Sequence, residues 1–219
     1  MTNIIEFSAS DSSRGEALCW LCQRTTSMRS LFCHNCGAIQ PVRAIDHFAR
    51  LGLDRRIDLD LDLLERQYAA LNKTLDPERF SIRGLGERGH AAKQLEALKE
   101  AYITLRDPVR RGRYWLVLHQ LETPETADTH PMVDELRGEL EMAAEVSQCD
   151  RVAHRAGQAL EQGIMGFMQA LRAQQWQQAN AVLMVLDGLE IILGNVRDRR
   201  AQMVSSEPAG NGISCFKAD

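Results

Sequence analysis

Four cysteines fall in two pairs, Cys19-Trp20-Leu21-Cys22 and, after ten residues, Cys33-His34-Asn35-Cys36. A C-x-x-C pair lets one tight turn present two thiolates to a single ion. The segment between the pairs is long enough to fold back and complete a tetrahedron. Gly37, just past the second pair, suits the positive φ of such a knuckle turn. Two disulfides or four free thiols are the competing readings. Disulfides are disfavoured in a reducing cytosol, and chance does not place two such pairs so regularly. Cys19, Cys22, Cys33 and Cys36 are therefore expected to hold a metal. Zinc ranks ahead of iron, because a closed four-thiolate site in a tiny module normally stabilises a fold rather than performing chemistry. With four thiolates available, His34 reads as a surface residue. Trp20, Leu31 and Phe32 are expected to cover a knuckle that stands outside the helical cores.

No other residues have the spacing of a reactive site. There is no P-loop and no Ser-His-Asp context, and the Gly84, Gly86, Gly89 stretch lacks the preceding strand a nucleotide site needs. An enzyme is not expected. The formal net charge of −4 and a pI near 5.9 argue against a nucleic-acid partner. No apolar run approaches the ~20 residues of a membrane span. Residues 1–14 carry Glu6, Asp11 and a single basic residue, Arg14, unlike a signal or transit peptide. A cytoplasmic protein of bacterial type is the expectation. Aromatics at 5% leave the cores mainly to Leu, Ala, Val and Met.

The elements that must carry this module are helical. Leu64, Tyr68, Leu71 and Leu75 share one helix face, and Leu95, Leu98, Tyr102 and Leu105 share another. Between them lie Asp76-Pro77-Glu78-Arg79-Phe80 and the Gly-rich stretch, so the pair reads as an antiparallel hairpin with facing apolar sides. The proline should stop the first helix at Asp76. Asp62 with Glu65 should cap its start, and Asp107-Pro108 should close the second helix.

The pattern Tyr68-x-x-Leu71-x-Lys73-x-x-Asp76-Pro77-Glu78-x-Phe80, then Ala101-Tyr102-x-x-Leu105-x-x-Pro108-x-x-Arg111-x-x-Tyr114, resembles the J domain of the HscB family, the co-chaperones of iron–sulfur cluster assembly. Some HscB-like proteins carry a comparable four-cysteine module. The continuation Ala38-Ile39-Gln40-Pro41, then Asp46-His47-Phe48-x-x-Leu51-Gly52, resembles that version too. The resemblance implies a short first helix over Asp46–Leu53, with His47 packing where the family often has an aromatic. It implies that the loop engages a DnaK-type (HscA-type) chaperone ATPase. The family has His-Pro-Asp there; Asp76-Pro77-Glu78 puts an anion in place of the imidazole and lengthens the carboxylate. Arg66, Lys73, Arg79 and Arg83 form a basic strip suited to an acidic ATPase surface. A helix over Val109–Leu121 is implied to meet the next domain through Trp115, Leu116 and Leu118.

Thr123–Pro131 reads as a linker. Three helices follow, over Met132–Gln148, Asp150–Arg172 and Trp176–Met203. Trp176-x-x-Ala179-x-x-Val182-x-x-x-Leu186-x-x-Leu189 resembles the HscB C-terminal bundle, with Gly188 where the family usually has a large aromatic. Gly138, Gly157, Gly163, Gly166, Gly188 and Gly194 all fall inside these helices, each at a cost of ~1 kcal/mol against Ala in an exposed interior. Close helix approach and a bundle loose until it binds are the two explanations. The expected class is mainly α. Residues 1–15 are expected to be disordered, 16–41 to form the metal module and 44–121 a J-like domain. Residues 128–203 are expected to form a bundle, which the resemblance implies to be scaffold-binding, and 204–219 a disordered tail. The family's IscU-type scaffold patch maps in one register to Met132, Val133 and Leu136, expected exposed near a helix start; Leu140 is expected to face the core. Three functions are consistent with the chain. It is an HscB-like adaptor with weakened ATPase stimulation, a pseudo-J adaptor or regulator for another partner, or a small iron-binding redox protein.

Overall fold

In the computed structural model, which describes residues 15–80, 84–122 and 130–206, Asp46, Asp60 and Asp107 cap three of the helices in the first half of the chain. The expectations for residues 1–14, 123–129 and 207–219 lie outside the described residues, as does Arg83. The chain divides into two compact units, Met1–Glu122 and Thr123–Asp219.

The first unit opens with two short antiparallel strands, β1 (Glu16–Leu18) and β2 (Thr25–Ser27), pairing Glu16 with Ser27 and Leu18 with Thr25. Helix α1 (His47–Arg50) is a single turn, shorter than expected. Asp46 caps it by accepting from the Ala49 amide at 2.8 Å, and Gly52, at φ +67°, lets the chain turn away. Helix α2 (Leu61–Thr74) is capped by Asp60, not Asp62: the Asp60 carboxylate accepts from the Leu63 amide at 3.0 Å. Asp62 already lies in the first turn, where its charge still favours the helix N-terminus. Leu75 ends the helix, and Pro77–Phe80 form one 3₁₀ turn.

Helix α3 (Leu85–Arg106) starts immediately after Gly84, whose φ of +106° few other residues would tolerate. Gly86 and Gly89 therefore belong to the helix and not to a loop. Asp107 closes α3 and caps α4 (Pro108–Leu118), accepting from the Arg110 amide at 2.8 Å with proline at the first helical position. Helix α4 ends at Leu118, three residues before the expected limit.

The apolar faces of α2 and α3 meet as the spacing requires. Leu64, Leu75, Leu98, Tyr102 and Leu105 are buried in one cluster with Phe48, Leu51 and Phe80. Tyr68 stacks on Tyr102 at 4.0 Å, and the Tyr102 hydroxyl donates to Glu65 at 2.6 Å. Two motif residues on α4 serve this core. The buried Arg111 guanidinium donates to the Leu105 and Ile57 carbonyls, at 2.6 and 3.1 Å, satisfying an orphan oxygen at the end of α3. The Tyr114 hydroxyl accepts from the His47 amide at 3.0 Å while its ring stacks on the His47 imidazole. Trp115 meets Phe48 edge-on, and Leu118 packs on the same cluster. Both residues are partly buried against their own unit's core.

The metal module is not outside this core. Ile39 is fully buried within it, and Leu31 and Phe32 pack against it. The expectation of a detached knuckle was wrong because its apolar residues cover the hairpin more than they cover the knuckle.

In the second unit, α5 (Pro131–Glu141) ends seven residues earlier than expected, because the chain breaks over residues 142–145. Helix α6 (Val146–Arg172) then starts in a capping box. The Glu145 side chain accepts from the N3 amide, and the Gln148 side chain accepts from the Glu145 amide. Arg199 braces the break, donating to the Ala143 carbonyl at 2.8 Å. Helix α7 (Trp176–Ser206) passes the expected limit and takes in the start of the expected tail. Contrary to the sequence expectation, α7 is long and apolar enough to span a membrane by length and composition, with mean hydropathy 1.5. Its Leu183, Leu186, Leu189, Ile192 and Val196 are buried in the unit, which accounts for the apolar content.

Two of the helix glycines have a packing reason. A Cβ on Gly188 would lie 2.9 Å from Val133 Cγ1, and one on Gly163 would lie 2.6 Å from Leu186 Cδ2. A Cβ on Gly138, Gly157 or Gly166 would meet nothing within 4 Å, so close approach does not explain those.

Candidate functional site

The two cysteine turns are built alike. In the first, the Gln23 amide donates to the Cys19 carbonyl at 3.0 Å; in the second, the Gly37 amide donates to the Cys33 carbonyl at 2.8 Å. Both Gln23 and Gly37 have positive φ, +58° and +72°, so glutamine takes in the first turn the role glycine takes in the second. The turns bring all four sulfurs within 4.8 Å of one another. Cys19 to Cys36 and Cys22 to Cys33 are each 3.7 Å Sγ to Sγ. A tetrahedral ion with metal–sulfur bonds of about 2.3 Å would need an edge of about 3.8 Å. The donor set fits a metal of that size.

The polar surroundings favour thiolate at some positions and leave a cation to balance the rest. Burial pushes the Cys19 thiol up. The Cys22 and Leu21 amides outweigh it, with help from the Gln40 side chain and Cys36, and bring it down to about 6. The Cys36 amide likewise holds Cys33 below the ordinary range. At Cys36 the Ala38 amide favours thiolate, but burial and the three neighbouring sulfurs raise it to about 12. Four thiolates this close do not ionise together without a cation between them. Gln40, which the spacing of cysteines gave no reason to single out, is fully buried and donates to Cys19 Sγ at 3.3 Å and to the Ala38 carbonyl at 2.8 Å. The Asn35 amide donates to Cys33 Sγ at 3.4 Å. His34 is exposed at the surface, away from any ligand role.

The second candidate is the tip of the hairpin. Asp76, Glu78 and Arg79 are exposed and Pro77 is half-buried, while Leu75 and Phe80 on either side are anchored in the core. The Asp76 carboxylate accepts from the Glu78 amide at 3.0 Å, so the anion that replaces the imidazole closes the turn locally. Glu78 also faces Arg88 of α3 at 3.7 Å, an exposed pair worth at most about 1 kcal/mol. Arg79 donates to the Lys73 carbonyl at 3.2 Å. Arg66 and Lys73 are exposed on α2, so the described part of the basic strip faces solvent.

The third candidate is corrected in part. Val133 and Leu136 are 3% and 1% exposed, within the core of the second unit, and only Met132, at 38%, reaches the surface. Their positions on α5 put them on the face toward α6 and α7, because Leu136 follows Val133 by three residues and Leu140 follows by four. Leu140 is buried as expected. The exposed side of α5 is charged instead: Arg155 of α6 pairs with Glu135 at 2.9 Å and with Glu139.

No family model matches the chain. It is 28% identical over 173 residues to the iron–sulfur cluster co-chaperone HscB homologue of Arabidopsis thaliana, covering 76% of this chain and 68% of that protein. It is 35% identical over 98 residues to human HscB, covering 44% of this chain and 42% of that protein. The crystal structure of human HscB superposes with a TM-score of 0.71 over 85% of this chain and all of that one, at 22% identity, which speaks for the fold. HscB from Vibrio cholerae superposes with a TM-score of 0.59 over 73% of this chain and 99% of that one, at 26% identity. In sequence and in fold the chain is similar to HscB co-chaperones. The match spans 68% of the plant relative but about half of the mouse relative, 49%.

Within an HscB fold the departures acquire a structural meaning. At Gly188 there is no room for the family's usual aromatic, because Val133 occupies the space against the α7 backbone. His47 fills an aromatic position by stacking on Tyr114 at 4.3 Å, and burial holds its pKa below the ordinary value. Besides Gln40, the sequence reading missed Arg88 and Gln94. Both lie on polar positions of α3 that spacing alone does not distinguish from a solvated face.

Proposed function

We propose that this protein is a co-chaperone-type adaptor of iron–sulfur cluster assembly that carries a structural zinc ion on Cys19, Cys22, Cys33 and Cys36. Its second unit binds an IscU-type scaffold, and its hairpin tip meets a DnaK- or HscA-type ATPase without stimulating it strongly. The observation that carries the reading is the hairpin tip: an Asp76-Pro77-Glu78 turn with Asp76 and Glu78 exposed, followed by Arg79 and preceded on α2 by the exposed Arg66 and Lys73, on a fold shared with HscB. The basic residues suit encounter with an acidic ATPase surface, where charge mainly raises the association rate. Asp76 presents a like charge to such a surface, and one of its carboxylate oxygens is engaged by the turn, so productive engagement is weakened.

The test is a single-turnover ATPase assay with a DnaK-type chaperone. The natural chain should stimulate little, and Asp76→His with Glu78→Asp should stimulate several-fold more. Robust stimulation by the natural chain would contradict the reading of the loop. The engaged Asp76 carboxylate also favours a second reading, a pseudo-J adaptor. It predicts scaffold binding with no gain from the double substitution.

A further inference from the structure

The cysteine module touches the hairpin tip from two sides. On one side Trp20, the residue after the first ligand cysteine, lays its indole against α3. The ring sits 5.0 Å from that of His90, and its Cη2 is 3.2 Å from where a Cβ on Gly86 would be. The indole nitrogen donates to the Ile39 carbonyl at 2.7 Å, which fixes the ring's angle from within the module. Gly86 and His90 flank Arg88, which faces Glu78 of the exposed turn. On the other side Phe32, the residue before the third ligand cysteine, stacks on Phe80 at 6.3 Å, directly after the turn. Phe32 is held in place by a single antiparallel bridge to Ile39.

A third connection runs from the sulfurs. Gln40 donates to Cys19 Sγ, and the buried Gln94 of α3 donates to the Gln40 and Pro41 carbonyls at 3.0 and 3.1 Å. The Gln94 carboxamide nitrogen is thus committed to the module, while its oxygen accepts from Arg50 of α1 at 3.4 Å.

We propose that metal binding at the four cysteines sets the conformation of the Asp76-Pro77-Glu78 turn, through Trp20 on α3, Phe32 on Phe80 and the Gln40–Gln94 relay. The module is a latch on the partner-binding tip, and loss of the ion loosens that tip. Without a cation the four sulfurs do not stay at their present spacing, and the residues adjoining them, Trp20 and Phe32, lose their registration. The coupling is reciprocal: whatever disturbs the α3 contacts also weakens the metal site. The inference goes beyond the proposed function and does not depend on which partner the tip meets.

Two measurements on the full chain test it. Hydrogen exchange is followed with zinc bound and after chelation under reducing conditions. Amides over residues 76–80 and 84–95 should lose protection on chelation, with α7 unchanged as the internal reference. Separately, zinc affinity is measured by competition with a chromogenic chelator for Gly86→Ala and Gln94→Met, neither of which alters a ligand. Gly86→Ala crowds the indole by a few tenths of an ångström, and Gln94→Met removes both donors to the module together with the acceptor for Arg50. Each should weaken zinc binding roughly fivefold or more while the helical circular dichroism stays as in the natural chain. Unchanged protection over residues 84–95 after chelation would overturn the proposal, and so would natural zinc affinity in both variants.

Discussion

Replacing Gly188 by alanine tests one of the two places in the second unit where a helix glycine admits a neighbouring side chain. The new Cβ would lie 2.9 and 3.0 Å from the two Val133 methyls, closer than carbon atoms pack. Val133 is buried on α5 and cannot swing into solvent. Overpacking of this kind costs about 1–3 kcal/mol. Removing glycine from a helix interior returns about 1 kcal/mol. The expected net loss is therefore about 0–2 kcal/mol, the difference of those two effects. Gly157→Ala is the control: its Cβ would meet nothing within 4 Å, so it should stabilise by up to about 1 kcal/mol.

A double-mutant cycle removes the ambiguity of single values. In a Val133→Ala background both clashing methyls are gone, and Gly188→Ala should become neutral or stabilising. The coupling energy should be on the order of 2 kcal/mol. The two units need not unfold together, so a global signal is unsuitable. Cys149 is fully buried in the second unit's core, and its labelling in urea, resolved by mass spectrometry, reports that unit alone. An equal loss from Gly188→Ala in both backgrounds would refute the close-approach account of this glycine.

The natural chain should purify with about one zinc ion, and Cys36→Ser should release it. Because Ile39 lies in the hairpin core, that variant should also lower the melting temperature of the first unit; bound iron with thiolate-to-iron absorption would reverse the metal assignment. Leu136→Ala should destabilise the second unit by about 2–5 kcal/mol, as a fully buried leucine does. Met132→Ala should leave stability unchanged and weaken scaffold binding in calorimetry; equal affinities would remove α5 from the interface. Burial lowers the His47 pKa, so the unfolded chain takes up its proton first as pH falls. The first unit should therefore lose stability below the ordinary histidine value of 6.5, and His47→Phe should flatten that part of the pH profile.

What the sequence disclosed and what it hid follow from the range of the interactions. The cysteine spacing is a local signal, because each pair is one turn, and the four sulfurs meet as the spacing required. The hairpin was legible because a helix repeats its apolar face every three to four residues, and Leu64 to Leu75 and Leu95 to Leu105 keep that repeat. Boundaries were less legible. Asp60 and Asp62 are equally good caps by residue type, and only the backbone at Asp60 is extended. The break between α5 and α6 was hidden because its residues, Met142-Ala143-Ala144-Glu145, all favour helix. What spacing could not show was which surface the cysteine module lies on. Trp20 and Phe32 looked like a cover for the knuckle because they adjoin its ligands, yet each also has a ring partner in the hairpin, His90 and Phe80, more than forty residues away in sequence. The same reasoning changes the reading of the bundle. Val133 and Leu136 stand near a helix start, where one side can stay open, but the glycine that admits Val133 is at position 188 on another helix. An apolar residue near a helix start is a partner-site candidate only when no distant glycine or small residue makes room for it. By that criterion Met132 remains a candidate, and the charged face of Glu135, Glu139 and Arg155 is its natural surround.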